Sequence, residues 1–135
     1  MNLQDFLNNN LVNNLTEEVV ISPRFVDDKG IVMKFKIKAM TNTDFDELRK
    51  VSMEIKKNRK VEFDSRKFNL NMIINHTITP DFKQAESLKK LGVRTPEEYV
   101  ESVLLAGEVT TLAEKIQDLS GFNKEMGTLV EEAKN

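Results

Sequence analysis

A chain of 135 residues has the length of one domain, and its 39% hydrophobic and 31% charged residues are typical of a folded protein with a single core. The formal net charge is −2 with both signs spread along the chain, which gives no basic stripe for nucleic acid. The absence of cysteine excludes disulfides, thiolate nucleophiles and cysteine-based metal sites. No apolar stretch approaches the ~18 residues that a membrane span requires, and the first residues lack a signal-peptide pattern.

The first forty residues predict a short helix followed by a β-hairpin. Leu3, Phe6 and Leu7 have helical spacing, and an asparagine-rich loop follows. Residues 17–40 are rich in β-branched and aromatic side chains, contain the turn sequence DDKG, and alternate with period two in VMKFKIKA. Because Pro23 cannot donate a ladder hydrogen bond, we expect the first strand to be an edge strand or to break there.

The middle of the chain predicts two helices joined by an exposed connector. Thr43 is an N-cap candidate for a helix that runs to about Lys57, since its apolar residues fall on one face. The sequence KKNRKVEFD is interpreted as a basic, exposed connector. Asp64 or Ser65 then caps a second helix, which Pro80 brings to an end at the preceding threonine.

The clearest helix start in the chain is the sequence RTPEEY. Thr95 is the predicted N-cap, Pro96 occupies the first helical position, and Glu98 completes a capping box. This helix is expected to run to about Ala106 and to end at Gly107. Shorter helices are predicted to end at two further glycines, residues 92 and 121, because glycine readily adopts the left-handed conformation of a C-cap.

The last predicted helices carry apolar stripes that either belong to the core or bind a partner. The sequence alone leaves both roles open, because a short amphipathic helix needs a groove that its own core or another protein can supply. The residues concerned are Leu112, Ile116, Leu119, Phe122, Met126, Leu129 and Val130.

These elements predict an α+β fold that is predominantly helical, with an N-terminal β-hairpin followed by a compact bundle of short helices. We expect a single domain over residues 1–135. Its parts are a short helix and asparagine-rich loop (1–15), the β-hairpin (17–40) and the helical region (43–134).

The sequence predicts no catalytic, cofactor or metal site. His76 is the single histidine and has no spaced set of metal ligands. It stands near the end of a predicted helix, where an exposed or helix-end histidine is unremarkable. Acidic residues occur as consecutive pairs, which do not converge along a helix. The glycines form no phosphate-binding cluster, and no serine has the context of a nucleophile elbow.

Basic residues form the one electrostatic feature of the sequence. One interpretation is a docking surface for an acidic partner or nucleic acid, and the other is a solvated face with lysines that protect an edge strand. We favour the second. The residues are Lys34, Lys36, Lys38, Lys56, Lys57, Arg59 and Lys60.

The order of these elements resembles the XkdN-like phage tail assembly chaperone family of contractile-tailed phages and defective prophages. The likeness covers roughly residues 16–135, and its most specific parts are FKIKAMTNTDFDELRK and GFNKEMGTLVEEAKN. The stretch LLAGEVTTLAEKI matches the loop and helix that precede the family's terminus.

The resemblance implies a protein that is not an enzyme and needs no cofactor. Members of such families bind the tape measure protein, keep it soluble and help tail-tube subunits to assemble. The implied partners are therefore the tape measure protein and the tail-tube protein, with self-association open and neither nucleic acid nor membrane involved. The implied location is the host bacterial cytoplasm and not the mature virion. The alternative is a structural tail adaptor or tube-completion protein.

Overall fold

A computed structural model of the chain describes residues 1–122. The helices among these residues are α1 (Leu3–Asn9), α2 (Asn42–Val51), α3 (Ser65–His76), α4 (Ala85–Leu91), α5 (Pro96–Val103) and α6 (Ala106–Leu119). The strands are β1 (Thr16–Val19), β2 (Phe35–Lys38), β3 (Met53–Ile55), β4 (Val61–Phe63) and β5 (Thr77–Thr79). The fold is therefore α+β and predominantly helical, as the sequence predicted.

Helix α3 lies at the centre of the hydrophobic core. Its residues Leu70, Met72, Ile73 and Ile74 are all buried, which places apolar side chains around most of the helix. It packs chiefly against α6, and also against α5 and α2. Because neighbouring helices surround α3, its apolar residues are distributed around the helix and do not form one stripe along one side.

The larger sheet has three antiparallel strands in the order β1–β2–β5. In β2, Phe35 and Ile37 are buried while Lys36 and Lys38 face solvent, so the predicted alternation is confirmed. The third strand was not predicted, because the second helix was carried to Thr79. The structure ends that helix at His76, since the β-branched sequence TIT favours a strand that pairs with β2.

The two strands of the predicted N-terminal hairpin pair as expected, but the first strand is short. Strand β1 ends at Val19 and lies at a sheet edge, so the strand breaks before Pro23. The return to β2 contains a single bridge between Val26 and Val32. Within it, Gly30 has φ +77°, the positive value expected for the turn DDKG.

Helix α2 begins and ends earlier than the sequence predicted. The Oγ1 of Thr41 accepts a hydrogen bond from the Asp44 N–H at 3.1 Å, and the Asp44 carboxylate accepts from the Thr41 N–H at 3.0 Å. This reciprocal capping box places Thr43 inside the helix and not at its N-cap. The helix then ends at Val51, and the residues predicted to continue it to Lys57 form β3 instead.

The segment KKNRKVEFD is part of a β-hairpin and not a connector. Strands β3 and β4 pair antiparallel, with Met53 opposite Phe63 and Ile55 opposite Val61. In the turn, the Arg59 N–H donates to the Lys56 carbonyl at 2.9 Å, and Arg59 has φ +63°. A type I turn followed by a left-handed residue is a common three-residue hairpin loop, and glycine usually occupies the left-handed position. Because arginine occupies this position here, the sequence lacks the glycine that usually indicates such a turn.

The predicted N-caps of α3 and α5 are confirmed, but the predicted capping box of α5 is wrong, because the Glu98 carboxylate accepts from the Arg94 N–H at 2.9 Å and not from Thr95. Thr95 caps α5 by accepting from the Glu98 N–H at 3.1 Å, and Asp64 caps α3 by accepting from the Lys67 N–H at 3.0 Å. The predicted stop at Gly107 is wrong, because α5 ends at Val103 and Gly107 lies in the first turn of α6.

Candidate functional site

The predicted partner-binding residues divide into buried and accessible ones. Leu112 and Ile116 are fully buried on the face of α6 that meets α3, so in this structure they belong to the core. Leu119 packs at the margin of that core, and Phe122 is half-exposed. Met126, Leu129 and Val130 lie outside the described residues. The role of all seven in partner binding therefore stays a prediction. Among the four that the structure describes, Phe122 is the most exposed.

A left-handed C-cap directs Phe122 onto other aromatic rings. Gly121 has φ +91°, its N–H donates to the Asp118 carbonyl at 3.0 Å, and the Phe122 N–H donates to the Gln117 carbonyl at 3.1 Å. This pair of hydrogen bonds ends α6 and reverses the chain, as glycine at this position predicted. The Phe122 ring consequently lies 4.9 Å, centroid to centroid, from the ring of Phe45.

Phe122 is the first member of a row of four aromatic side chains. Phe45 continues from it to Phe68 at 5.9 Å with nearly perpendicular rings, and Phe68 continues to Phe63 at 5.1 Å. We call Phe45, Phe63, Phe68 and Phe122 the aromatic row. Because Phe63 belongs to β4, the row connects the end of α6 with the β3–β4 hairpin.

One face of that hairpin is apolar and open to solvent. Residues directly opposite one another in antiparallel strands share a face, as do residues two apart in one strand. Met53, Ile55, Val61 and Phe63 therefore lie together, and we call them the hairpin face. Their exposed fractions range from 48% to 79%. Large apolar side chains grouped on an exposed face, and not scattered singly, are typical of an interaction surface.

The opposite side of the hairpin is polar. The Lys56 ammonium lies 3.3 Å from a Glu54 carboxylate oxygen and 3.7 Å from a Glu62 carboxylate oxygen. The hydrogen bond that Lys56 donates to Glu54 and the negative charges of the two glutamates raise the pKa of Lys56. The tip, residues 56–60, carries four basic side chains and no acidic one. A partner that covers the hairpin face would therefore meet positive charge at one end.

Helix α1 provides a second exposed apolar surface. Leu3, Phe6 and Leu7 have the spacing of one helical face, and each is at least half-exposed. No residue of this helix is buried within the part of the chain that the structure describes. Because isolated helices of this length are marginal in water, contact with another surface would stabilise α1.

An apolar cavity of about 300 Å³ opens beside the three-stranded sheet. Phe25 and Phe35 border it on the side of the sheet, with ring centroids 5.1 Å apart. Phe82 and Tyr99 border it on the other side, in an edge-to-face contact at 5.6 Å. The cavity is large enough for one or two apolar side chains of a partner, since ligand pockets in proteins begin at about this size.

His76 is the last residue of α3, at a helix end as the sequence predicted. His76 is buried, and its Nδ1 has no hydrogen-bond partner among the described residues. It borders a cavity of about 340 Å³ together with Lys38, Asp44, Glu47 and Lys83. Burial lowers the pKa of His76; the carboxylate of Asp44 opposes this effect, and the ammonium of Lys38 adds to it. The imidazole is therefore neutral near pH 7.

The cavity beside His76 is polar but offers an incomplete set of catalytic groups. Hydrogen bonding to Thr41 holds the pKa of Asp44 below its ordinary value, which suits a helix-capping carboxylate and not a general acid. The lining side chains include no hydroxyl or thiol that could act as a nucleophile. No group of three or more potential metal ligands occurs within residues 1–122.

An ion pair fastens the segment after β1 to the start of α6. The Arg24 guanidinium donates to both carboxylate oxygens of Glu108, at 2.9 and 2.6 Å, and to the Val103 carbonyl at 2.8 Å. Glu108 also accepts from the Leu105 N–H at 2.7 Å. The hydrogen bonds from Arg24 outweigh the effect of burial and lower the pKa of Glu108 to about 2. This contact is structural, since it joins two distant parts of the chain.

The lysines of β2 occupy the solvent face of a central strand. Lys36 and Lys38 are exposed, and β1 and β5 flank their strand on both sides. Protection of an edge strand therefore does not explain them, and that part of our interpretation is wrong. A solvated face remains sufficient. No helix within the described part of the chain is long and apolar enough to cross a membrane.

Sequence reasoning missed the hairpin face, although a signal was present. Met53 and Ile55 alternate with Glu54, and Val61 and Phe63 alternate with Glu62, which is the period-two pattern of a half-buried strand. Two such runs separated by a short polar stretch predict a hairpin. The helical spacing of the residues before Met53 also predicts a helix through Ile55, and this competing pattern obscures the alternation.

The described residues form a small α+β domain with exposed apolar faces on α1 and on the β3–β4 hairpin. The sequence from residue 3 to residue 134 matches the model of the phage XkdN-like tail assembly chaperone proteins. The chain belongs to this family of phage tail assembly chaperones.

Individual relatives agree with this assignment. The phage-like element PBSX protein XkdN of Bacillus subtilis strain 168 is 35% identical over 123 residues, which cover 87% of this chain and 83% of the relative. The protein YqbN of the same strain has the same identity and coverage. The crystal structure of YqbN superposes with a TM-score of 0.71 at 31% identity, covering 91% of this chain and 98% of the other.

Proposed function

We propose that this protein is a non-enzymatic chaperone that binds the tape measure protein of a tailed phage or prophage. It keeps the tape measure protein soluble in the host cytoplasm and assists assembly of the tail tube. The observation that carries the proposal is the open hairpin face, which in a tail assembly chaperone is a surface ready to bind another polypeptide.

The chemistry of the proposed partner suits this surface. A tape measure protein is a long chain with apolar helical stripes, and such stripes aggregate unless they are covered. An amphipathic helix presents side chains at positions i, i+3, i+4 and i+7, which can pack on a flat apolar face. Ile55 and Val61 form the half of the hairpin face next to the turn, and they are its two most exposed members, so they would contact such a stripe directly.

Coexpression with the tape measure protein of the same phage tests the proposal. We expect the chaperone to raise the soluble yield of the tape measure protein and to co-purify with it. Ile55→Lys should abolish both effects, because it places a charge at the most exposed position of the hairpin face. Ile31→Lys is the matched control, since Ile31 is also exposed but lies in the turn after β1. A tape measure protein that is equally soluble alone, with no complex, would sink the proposal.

A structural tail adaptor is the second candidate, and the open edges of the sheets favour it. Strands β1 and β5 both lie at edges of the larger sheet, where a strand of another protein can add. Mass spectrometry of purified particles separates the two candidates. A chaperone is absent from the finished particle, whereas an adaptor stays in it at a fixed ratio to the tube protein.

The cavity beside His76 provides a test of the non-enzymatic part of the proposal. We expect His76→Gln to retain its effect on tape measure solubility and on tail assembly in a phage complementation assay. Loss of assembly by this variant, with stability and tape measure binding intact, would point to chemistry at that cavity and overturn the non-enzymatic role.

A further inference from the structure

The first fifteen residues, which we call the N-terminal arm, are all exposed. The arm leaves the three-stranded sheet at Leu15, whose carbonyl accepts a hydrogen bond from the Ala39 N–H at 2.9 Å. Helix α1 within it has a complete capping box, because Asn2 and Asp5 each accept from the other's backbone N–H. A helix of seven residues is marginal by itself in water, so α1 gains stability from another surface.

The arm and the hairpin face present apolar surfaces of similar size. Leu3, Phe6, Leu7 and Leu11 of the arm are 50–78% exposed, and the members of the hairpin face are 48–79% exposed. If a fully exposed large apolar residue presents about 150–200 Å², each of the two surfaces offers roughly 400 Å². The two surfaces of one chain do not cover each other, since both are open.

The area of contact indicates how two chains would meet. One arm on one hairpin face would bury about 800 Å² in total, which is small for a specific complex. Two copies related by a two-fold axis can exchange their arms reciprocally, so that the contact is made twice and about 1,600 Å² is buried. This is the standard size of a specific interface. A reciprocal exchange therefore reaches an area that a single contact does not.

The charges favour the same pairing. Residues 1–19 carry three acidic side chains and neither lysine nor arginine, whereas the hairpin tip at residues 56–60 carries four basic side chains. An arm that lies on the hairpin face of another copy brings the acidic segment towards the basic one, and such complementarity selects partners. Two arms packed on each other would leave the basic tips without an acidic counterpart.

We propose that two copies of this chain form a two-fold dimer in which each N-terminal arm packs Leu3, Phe6 and Leu7 on the hairpin face of the other copy. Both apolar surfaces of each chain are then covered without a third component. The dimer is a property of the chain beyond the function proposed above, because it forms without the tape measure protein.

Sedimentation equilibrium of the full-length chain over a range of protein concentrations tests the dimer. We expect a dimer for the wild type and a monomer for both Phe6→Asp and Ile55→Lys, because each variant places a charge in the same contact. Asn8→Asp, on the opposite side of α1, and Ile31→Lys are matched controls that should stay dimeric. Circular dichroism establishes that each variant folds. A wild type that is monomeric at every concentration, or a dimer that only one of the two variants disrupts, would overturn the proposal.

Paramagnetic relaxation between molecules tests which surfaces meet. The chain contains no cysteine, so Asn8→Cys provides a single attachment site for a nitroxide. Isotope-labelled wild type is mixed with an excess of this nitroxide-labelled protein without the isotope, so that only contacts between copies broaden signals. We expect the methyl signal of Ile55 to lose most of its intensity, while that of Ile31 keeps it. An Ile55 signal that keeps its intensity would show that the copies meet elsewhere and would overturn the proposal.

A diluted sample separates a second copy from the arm of the same chain. Here molecules that carry both isotope and nitroxide are diluted into an excess of unlabelled wild type, so that broadening arises within one molecule. We expect the Ile55 signal to keep its intensity in this sample. Broadening here that is missing from the first mixture would assign the hairpin face to the arm of its own chain and reject the exchange.

A consequence that rests on the proposed function concerns the tape measure protein, which must displace the arm from the hairpin face. Phe6→Asp should therefore bind it several-fold more tightly than the wild type, whereas Asn8→Asp should not. Weaker binding by Phe6→Asp would place the arm in that interface and overturn this consequence. The dimer is measured without the tape measure protein. A dimer that forms no complex with it removes only the proposed function, and a monomeric wild type that forms the complex removes only this inference.

Discussion

The β2 strand and the β3–β4 hairpin carry the same alternating pattern but end in opposite environments. In β2 the apolar residues Phe35 and Ile37 are buried beneath helices, and Lys36 and Lys38 face solvent. In the hairpin the apolar residues face solvent or the aromatic row. A period-two pattern thus establishes that a strand has two chemically different faces, and the neighbouring helices determine whether the apolar face is closed.

This difference assigns separate roles to the two regions. The three-stranded sheet, together with α3 and α6, contributes to the folded core, since hydrophobic burial is the main stabilising term in a domain of this size. The hairpin adds little buried surface of its own and leaves its apolar side chains accessible. The predictions below compare the closed region with the open one, from the largest expected effect to the smallest.

The largest contrast is expected between two isoleucines. Ile37→Ala should lower the free energy of unfolding by about 2–5 kcal/mol, because Ile37 is fully buried and its loss leaves a cavity. Ile55→Ala should cost about 1 kcal/mol or less, since Ile55 is 79% exposed. Urea denaturation of both variants measures the difference. Equal losses would show that the hairpin face is packed as tightly as the core.

Two glutamates provide the next contrast, in acid stability. The folded-state pKa of Glu108 is about 2, below its unfolded value of 4.5, so its stabilisation is present above pH 4.5 and is lost as the pH falls towards 2. Glu108→Gln should therefore lower the free energy of unfolding at pH 7. It should also reduce the loss of stability between pH 4.5 and about pH 2. Glu62→Gln, in the exposed pair with Lys56, should change stability by no more than about 0.5 kcal/mol. Similar profiles for both variants would contradict the structural role of the Arg24 contact.

Two glycines at opposite ends of α6, Gly107 in its first turn and Gly121 just after its C-cap, should respond with opposite signs. Gly121→Ala should destabilise the protein by about 1–2 kcal/mol, because an L-residue is strained at φ +91° although no atom blocks its Cβ. Gly107→Ala should stabilise it by about 0.4–1 kcal/mol, since Gly107 is helical and its Cβ would meet open space. Thermal unfolding of the two variants gives both signs in one experiment. A stabilising Gly121→Ala would show that the C-cap does not hold Phe122 on the aromatic row.

The smallest predicted effect is the pH dependence due to His76. Its folded-state pKa is below the unfolded value of 6.5, so the unfolded chain binds more protons and stability falls as the pH drops below 6.5. His76→Gln should reduce the slope of stability between about pH 6.5 and pH 5. Chemical denaturation at several pH values measures this slope. An unchanged slope would contradict the buried, neutral imidazole.

Local signals in the sequence predicted much of the fold. Hydrophobic alternation indicated β2, and side chains that bond to backbone N–H groups indicated the starts of α3 and α5 at Asp64 and Thr95. Glycines 92 and 121 marked helix ends, because the left-handed conformation is easily reached only there. Each of these signals acts within a few residues, which is why the sequence reveals it.

The features that were missed depend on contacts between distant residues. Strand β5 forms because β2 offers a free edge to Thr77–Thr79, and no local pattern of three residues reveals this. For Leu112 and Ile116 the sequence left a core role and a partner-binding role open, and their burial depends on α3 packing against their helix. The sequence could therefore name apolar candidates for binding, but the structure was needed to separate those in the core from those on the surface.

The left-handed Arg59 has a consequence for whatever approaches the hairpin. A glycine at this position would relax the backbone, so the arginine keeps a guanidinium at the tip at a conformational cost of about 1–2 kcal/mol. The turn thereby places a guanidinium, which stays charged at all physiological pH values, at one end of the apolar hairpin face. If the hairpin face binds an amphipathic helix as proposed, a helix with an acidic end at the tip is favoured over the reverse direction.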